Sequence, residues 1–157
     1  MKHEIKARYP ASPDVVIKMF TDRNFHTRKL DALGMPYKVL AQSGNARQFS
    51  IRIERKVPVQ MPGIGKKAET TIVNEEIWNP ASRTGSVKVE AGAMPLECTC
   101  AMALTPDGDA TLVTYRWDVK SSVPLLGGKI EKMAVADMES RSADETRIAV
   151  ELLKDYR

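Results

Sequence analysis

The sequence predicts an α+β fold: a curved, seven-stranded antiparallel sheet, two short helices after the first strand, and a long C-terminal helix that covers the sheet. Three observations predict it. Between Tyr37 and Lys120, apolar and polar residues alternate with period two in segments separated mostly by short turns, the pattern of antiparallel strands wet on one face. One further alternating segment stands alone near the N-terminus, ahead of residues at helical spacing. The final segment, roughly 124–155, is the one helix long enough to cover such a sheet.

The first strand is "HEIKARY", residues 3–9, with Ile5, Ala7 and Tyr9 on one face. A short helix follows. Ser12 suits the N-cap, Pro13 the first helical position, and Asp14 the first turn, while Val15, Val16, Met19 and Phe20 form its apolar stripe. A second short helix is expected from Asn24 to Leu33, ended by Gly34. Six strands come next. "YKVLAQS" is the first, and "RQFSIRIERKV" sets Phe49, Ile51 and Ile53 against Ser50, Arg52 and Glu54. "AETTIVNEEIW" has a register that its residues alone leave open. In "GSVKVEA", Val87 and Val89 oppose Lys88 and Glu90. "LECTCAMAL" places Leu96, Cys98, Cys100, Met102 and Leu104 on a single face, and "PDGD" at 106–109 is a turn. "ATLVTYRWDVK" then sets Val113, Tyr115, Trp117 and Val119 against Thr114, Arg116, Asp118 and Lys120. The connection at 58–67, "PVQMPGIGKK", is long for a hairpin loop and carries apolar tips at Met61 and Ile64.

The C-terminal segment raises a question. "SSVPLLGGKIEKMAVADM" puts adjacent glycines, Gly127 and Gly128, in the first turns of the helix, where each costs about 0.5–1 kcal/mol relative to alanine. One reading is tight packing of the helix entrance against the sheet; another is a soft point that admits a ligand.

With 157 residues, 43% hydrophobic and 28% charged, the chain suits one soluble domain with a substantial core. No apolar run approaches the roughly 18 residues a membrane span needs. "MKHEIKARYP" has no apolar core of a secretory signal, so the expected location is cytoplasmic. The net charge of +4 is spread along the chain. No basic–aromatic interleaving marks a nucleic-acid partner, while transient contact with an anionic membrane surface stays open.

Catalytic motifs are not recognised. The serines do not form a G-x-S-x-G elbow. His3 and His26 read as surface residues, and Cys98 and Cys100, without a nearby histidine, make a poor zinc set. Their strand spacing is too wide for a disulfide, so both read as reduced thiols. No metal and no cofactor are expected. Asp137 has two readings, an inward carboxylate for acid–base work or the start of a solvated row with Arg141 and Glu145.

The order of elements is the helix-grip arrangement. "YPASPDVVIKMFTD", "NEEIW" at 74–78 and "VPLLGGKIEKM" are similar to segments of the START-like (SRPBCC) superfamily, and more narrowly of an uncharacterised bacterial family within it. That superfamily includes lipid-transfer domains, polyketide cyclases and plant pathogenesis-related allergens. The resemblance implies a hydrophobic pocket and supplies no reaction. A twisted sheet curls around its inner face, and a single helix over it need not fill the space between. The expected function is binding or carriage of a small hydrophobic molecule: a lipid, isoprenoid, quinone or polyketide-like compound. The alternative is a cyclase- or hydrolase-type enzyme using polar residues of the same pocket. The expected lining is Phe49, Ile51, Cys98, Cys100, Met102, Tyr115 and Trp117 from the sheet, with Leu126, Ile130 and Met133 from the helix. Met35, Met61 and Met94 would add pliable thioethers. The 58–67 loop and the two glycines would sit near the mouth.

Overall fold

A computed structural model of the chain describes residues 1–59, 68–92 and 94–157. The element order is β1 (Lys2–Tyr9), α1 (Pro13–Phe20), α2 (Arg23–Leu33), β2 (Tyr37–Gly44), β3 (Phe49–Val59), β4 (Ala68–Asn79), β5 (Thr84–Glu90), β6 (Leu96–Asp107), β7 (Ala110–Ser121) and α3 (Gly127–Leu153). A short 3-10 turn, Lys154–Tyr156, ends the chain. The strands form one antiparallel sheet ordered β1-β7-β6-β5-β4-β3-β2. Strands β2 to β7 are a meander, and β1 returns to pair with β7. The two short helices carry the chain from one sheet edge to the other.

The alternation read from the sequence sets the faces. Phe49, Ile51, Ile53 and Val57 of β3 are buried, as are Cys98, Cys100, Met102 and Leu104 of β6. The register left open for β4 is settled: Ile72 and Trp78 are buried, and period two carries Asn74 and Glu76 onto the same inner face.

Helices α1 and α2 cap one end of that face with aromatic packing. Phe20 stacks on Trp78 at 5.1 Å between ring centroids, and Tyr9 meets Phe20 edge-on at 5.5 Å. His26 of α2 stacks on Phe49 at 5.6 Å and is 2% exposed, so it is a core residue and not the surface histidine expected from its basic neighbours. Burying each large aromatic stabilises the fold by about 1.5–3 kcal/mol. Ser12 holds the expected cap position of α1 without a side-chain cap hydrogen bond; its carbonyl instead accepts from Val16 N. Helix α2 starts one residue early because the Asp22 side chain accepts from Asn24 N, and Gly34 closes it at φ +68°.

Helix α3 begins later than the sequence suggests. Leu125 adopts φ +68°, which ends the extended chain and postpones regular helix to Gly127. The two glycines are therefore the first helical residues, and they differ. A Cβ on Gly127 would meet the Ser121 carbonyl oxygen at 3.2 Å, whereas one on Gly128 would meet nothing within 4 Å. Gly127 thus lets the helix entrance approach the end of β7. Residues 60–67 of the 58–67 connection, with Met61 and Ile64, lie outside the described residues; Pro58 and Val59 extend β3.

From its start beside Ser121, α3 crosses the inner face toward α1 and α2. Ala149 and Leu153 join the core beneath the short helices, and the Tyr156 hydroxyl donates to Asp22 at 2.7 Å. The buried side chains do not form one contiguous core. The largest cluster lies under α1 and α2, a second gathers Val57, Ile72 and Ala91, and a third gathers Cys98, Val119 and Val135. Trp117 packs on the first and third, and Val89 and Leu96 on the second and third. Between the sheet and α3 these side chains leave space.

Candidate functional site

That space is a cavity of about 540 Å³ between the inner face of the sheet and α3, within the range typical of small-molecule sites. One end is apolar. Val89, Met94, Leu96 and Cys98 line it from the sheet side, and Ile130, Met133, Ala134 and Met138 from α3; Ile72 lines it beside its cross-strand partner Arg55. The other end is polar and faces α2 and the second half of α3. Its groups come from six elements: Tyr9 of β1, Lys29 of α2, Arg55 of β3, Glu76 of β4, Tyr115 of β7, and Glu145 and Thr146 of α3.

Local structure explains each direction. Continuing the period-two face of β3 past Ile53 turns Arg55 inward, and its side chain is 13% exposed. Trp78 is buried on β4, so Glu76 two residues earlier points the same way, and the Trp78 indole N–H donates to Glu76 Oε1 at 2.8 Å. Asp137 and Arg141 form the rim: their 2.6 Å pair leaves the Asp137 side chain 53% exposed. Of the two readings of Asp137, the solvated i,i+4 pair is the one seen. Glu145 departs from the solvated row in the opposite sense, because Arg55 reaches across from the sheet and donates to Glu145 Oε1 at 3.3 Å.

The electrostatics follow from this geometry. Burial acts to raise the Glu145 carboxyl, but the cations of Lys29, Arg55 and Arg141 outweigh it and hold Glu145 below the usual carboxylate range. Burial pushes the Tyr9 phenol up to about 12 despite its neighbours Tyr115 and Thr146, and burial, with Tyr9 beside it, holds Tyr115 well above the usual phenol range. Both phenols are neutral donors near pH 7. The thiols of Cys98 and Cys100 are free, and burial raises them to about 11 and about 12. They are neutral, soft wall and core groups, not thiolate nucleophiles. Among the described residues no group of three metal-ligating side chains gathers.

His26 lies beside the polar end, with its Nε2 2.8 Å from the Phe20 carbonyl and its Nδ1 3.7 Å from Glu76 Oε2. Burial lowers its pKa from 6.5, opposed by Glu76 and assisted by Lys29. The unfolded chain therefore binds a proton that the folded chain does not, over a window beginning near pH 6.5 and extending downward. Stability is fully present above that pH and falls as pH drops through it, by at most about 1.4 kcal/mol per pH unit. Urea unfolding from pH 7.5 to 5.5 should show this slope, and His26→Gln should flatten it; an equal slope in the variant contradicts the assignment.

The residues expected to line a pocket separate into two groups. Cys98, Met102, Tyr115, Trp117, Ile130 and Met133 line the cavity. Phe49 and Ile51 are buried in the cluster under α2, where His26 covers Phe49. Cys100 belongs to the same cluster, flanked by Val87 and Trp117 on the adjoining strands, which reach the cavity in its place. Leu126 is 45% exposed, because it precedes the first turn of α3 instead of lying on its inner stripe. Met94 lines the cavity, and Met35 packs on the second cluster. Arg55, Glu76, Lys29 and Glu145 were not expected there. Strand parity could have found the first two; the depth of Lys29 and Glu145 depends on where α2 and α3 dock.

A family described as "Protein of unknown function (DUF2505)" matches residues 4–153. No curated protein matches the chain. Similar folds occur among solved structures. A protein from Thermus thermophilus is 16% identical with a TM-score of 0.70, covering 99% of this chain and 98% of that one. A START superfamily protein from Mycobacterium smegmatis is 17% identical with a TM-score of 0.60, covering 94% and 96%. Norcoclaurine synthase from Thalictrum flavum, solved in complex with dopamine and hydroxybenzaldehyde, is 11% identical with a TM-score of 0.66, covering 100% and 88%. These likenesses are of fold, and the fold is the START-like helix-grip.

Proposed function

The chain belongs to the DUF2505 family of proteins of unknown function, and from that premise we propose that it binds or carries a small, mostly hydrophobic molecule in the cavity between sheet and α3. The observation that carries the proposal is the cavity itself: about 540 Å³, with an apolar wall and its polar groups gathered at one end. Apolar burial supplies about 25 cal/mol per Å² before ordering costs. The few polar groups orient the ligand. The ligand classes this suits are lipid, isoprenoid, quinone and polyketide-like compounds. The fold shared with norcoclaurine synthase and a START superfamily protein is consistent with the proposal.

A second reading is an enzyme of cyclase or hydrolase type. The gathering of Tyr9, Glu76, Tyr115 and the Arg55–Glu145 pair at one end of the cavity favours it. Among the described residues, no helix is long and apolar enough to cross a membrane, and transient contact with a membrane surface is part of the carriage proposal only as a route of loading.

Native mass spectrometry of gently purified protein tests the reading. A small mass retained under native conditions and released by denaturation is expected. Release of the same compound unchanged after prolonged incubation supports carriage, and its conversion supports the enzyme. Protein that stays bare and takes up no apolar compound contradicts both.

A further inference from the structure

We infer that the molecule held in the cavity carries a carboxylate head, seated between Lys29 and Arg55, with its hydrocarbon tail directed toward Met94, Leu96 and Met133. The inference rests on the cavity being a binding site and names the chemistry of what it takes.

The Arg55 guanidinium is the first support. It lines the cavity, and Nη1 donates to Glu145, but Nε is buried and has no hydrogen-bond partner among the described residues. A buried donor without an acceptor is a standing cost to the fold. It is removed when a ligand oxygen arrives, and a planar guanidinium edge matches a carboxylate well.

Lys29 is the second. It lines the same end of the cavity, and its Nζ is 5.5 Å from the Phe25 ring centroid. It acts on Glu145 through its charge alone, without a hydrogen bond. The third support is which anions the two cations meet. Glu145 feels Lys29, Arg55 and Arg141 together, and Arg141 is held by Asp137 at 2.6 Å. Glu76 is the second carboxylate at this end, but its Oε1 accepts from Trp78 and its Oε2 faces His26 at 3.7 Å, not Lys29 or Arg55. A ligand carboxylate is the group that can meet both cations directly. The hydroxyls of Tyr9 and Tyr115 are protonated near neutral pH and stand at the same end as further donors. An amine head would face Lys29 and Arg55 unfavourably, and an alcohol would answer only part of the donor set.

The test compares decanoic acid, decanol and decylamine as competitors for Nile red near neutral pH, in the wild-type chain, in Lys29→Met and in Arg55→Lys. Lys29→Met keeps the apolar stem and removes the charge. Arg55→Lys keeps a cation facing Glu145 and removes the Nε edge. The wild type should bind decanoate about tenfold more tightly than decanol, with decylamine weakest. Each variant should lose about tenfold in decanoate affinity while decanol changes by less than about twofold. Equal binding of decanoate and decanol by the wild type overturns this inference and leaves the cavity reading standing. Preference for decylamine overturns it too, assigning the head to Glu76 and Glu145. A uniform loss of all three competitors in the variants also overturns it, because the two residues would then act on the shape of the cavity and not on the head. Failure of every compound to displace or exclude the dye overturns the cavity reading itself.

Discussion

Gly85→Ala should destabilise the protein by about 2–3 kcal/mol, the scale of overpacking a closed core. A Cβ at this position would stand 2.7 Å from Cδ2 and Cε3 of Trp78 and 2.8 Å from the Ile77 carbonyl oxygen. None of these atoms has freedom to yield. Trp78 is 1% exposed, stacked on Phe20 and hydrogen-bonded through its indole nitrogen to Glu76. The Ile77 carbonyl belongs to the β4 backbone, which is paired with β3 and β5 on either side. The glycine marks a place where an indole lies flat over the sheet. For a chain of this size the loss corresponds to a fall in melting temperature of roughly 5–10 °C. An unchanged urea midpoint for Gly85→Ala would show that Trp78 does not cover the strand as described. Because Trp78 and Glu76 also line the cavity, the same substitution should weaken uptake of an apolar dye in the fraction that stays folded.

Met102→Trp should reduce uptake of Nile red about tenfold or more while changing stability by less than about 1 kcal/mol. The two readouts matter together. Met102 is 3% exposed, and it pairs across the sheet with Gly85 and Tyr115. In a filled core, an indole there would force its neighbours aside at a cost of about 1–3 kcal/mol. Facing the cavity, the added bulk enters empty space and displaces ligand instead of protein. Strong destabilisation would show a filled interior at this point, and unchanged uptake in a folded variant would remove Met102 from the lining.

The sheet was legible in the sequence because its cause is local. Alternation at Leu96, Cys98, Cys100, Met102 and Leu104, and again at Val113, Tyr115, Trp117 and Val119, requires one buried face. The covering helix was legible because the final segment is the one long enough to serve. What period two cannot tell is which part of a buried face meets a helix and which part meets a void. Phe49 and Ile51 share a face with the cavity wall, yet α2 closes over them; Met102 and Trp117 lie in the same two rows, three and four strands across the sheet, and stay beside the space. The polar groups were harder. Arg55 continues the parity of Ile51 and Ile53, and Glu76 that of Trp78, so their inward direction was written in the strands but obscured by the usual place of charge at the surface. Glu145 turns inward only because Arg55 meets it across the cavity, a fact of tertiary packing. The start of α3 depends on Leu125 at φ +68°, a conformation that no leucine announces.

Crystals of the ligand-free protein pressurised with xenon would test the cavity most directly, since an apolar void takes up the gas and a packed core does not. Xenon is expected between β6 and α3, against Leu96, Cys98, Ile130 and Met133. Side-chain density that runs unbroken from the sheet to α3, with no xenon held there, would contradict the proposed function while leaving the fold intact.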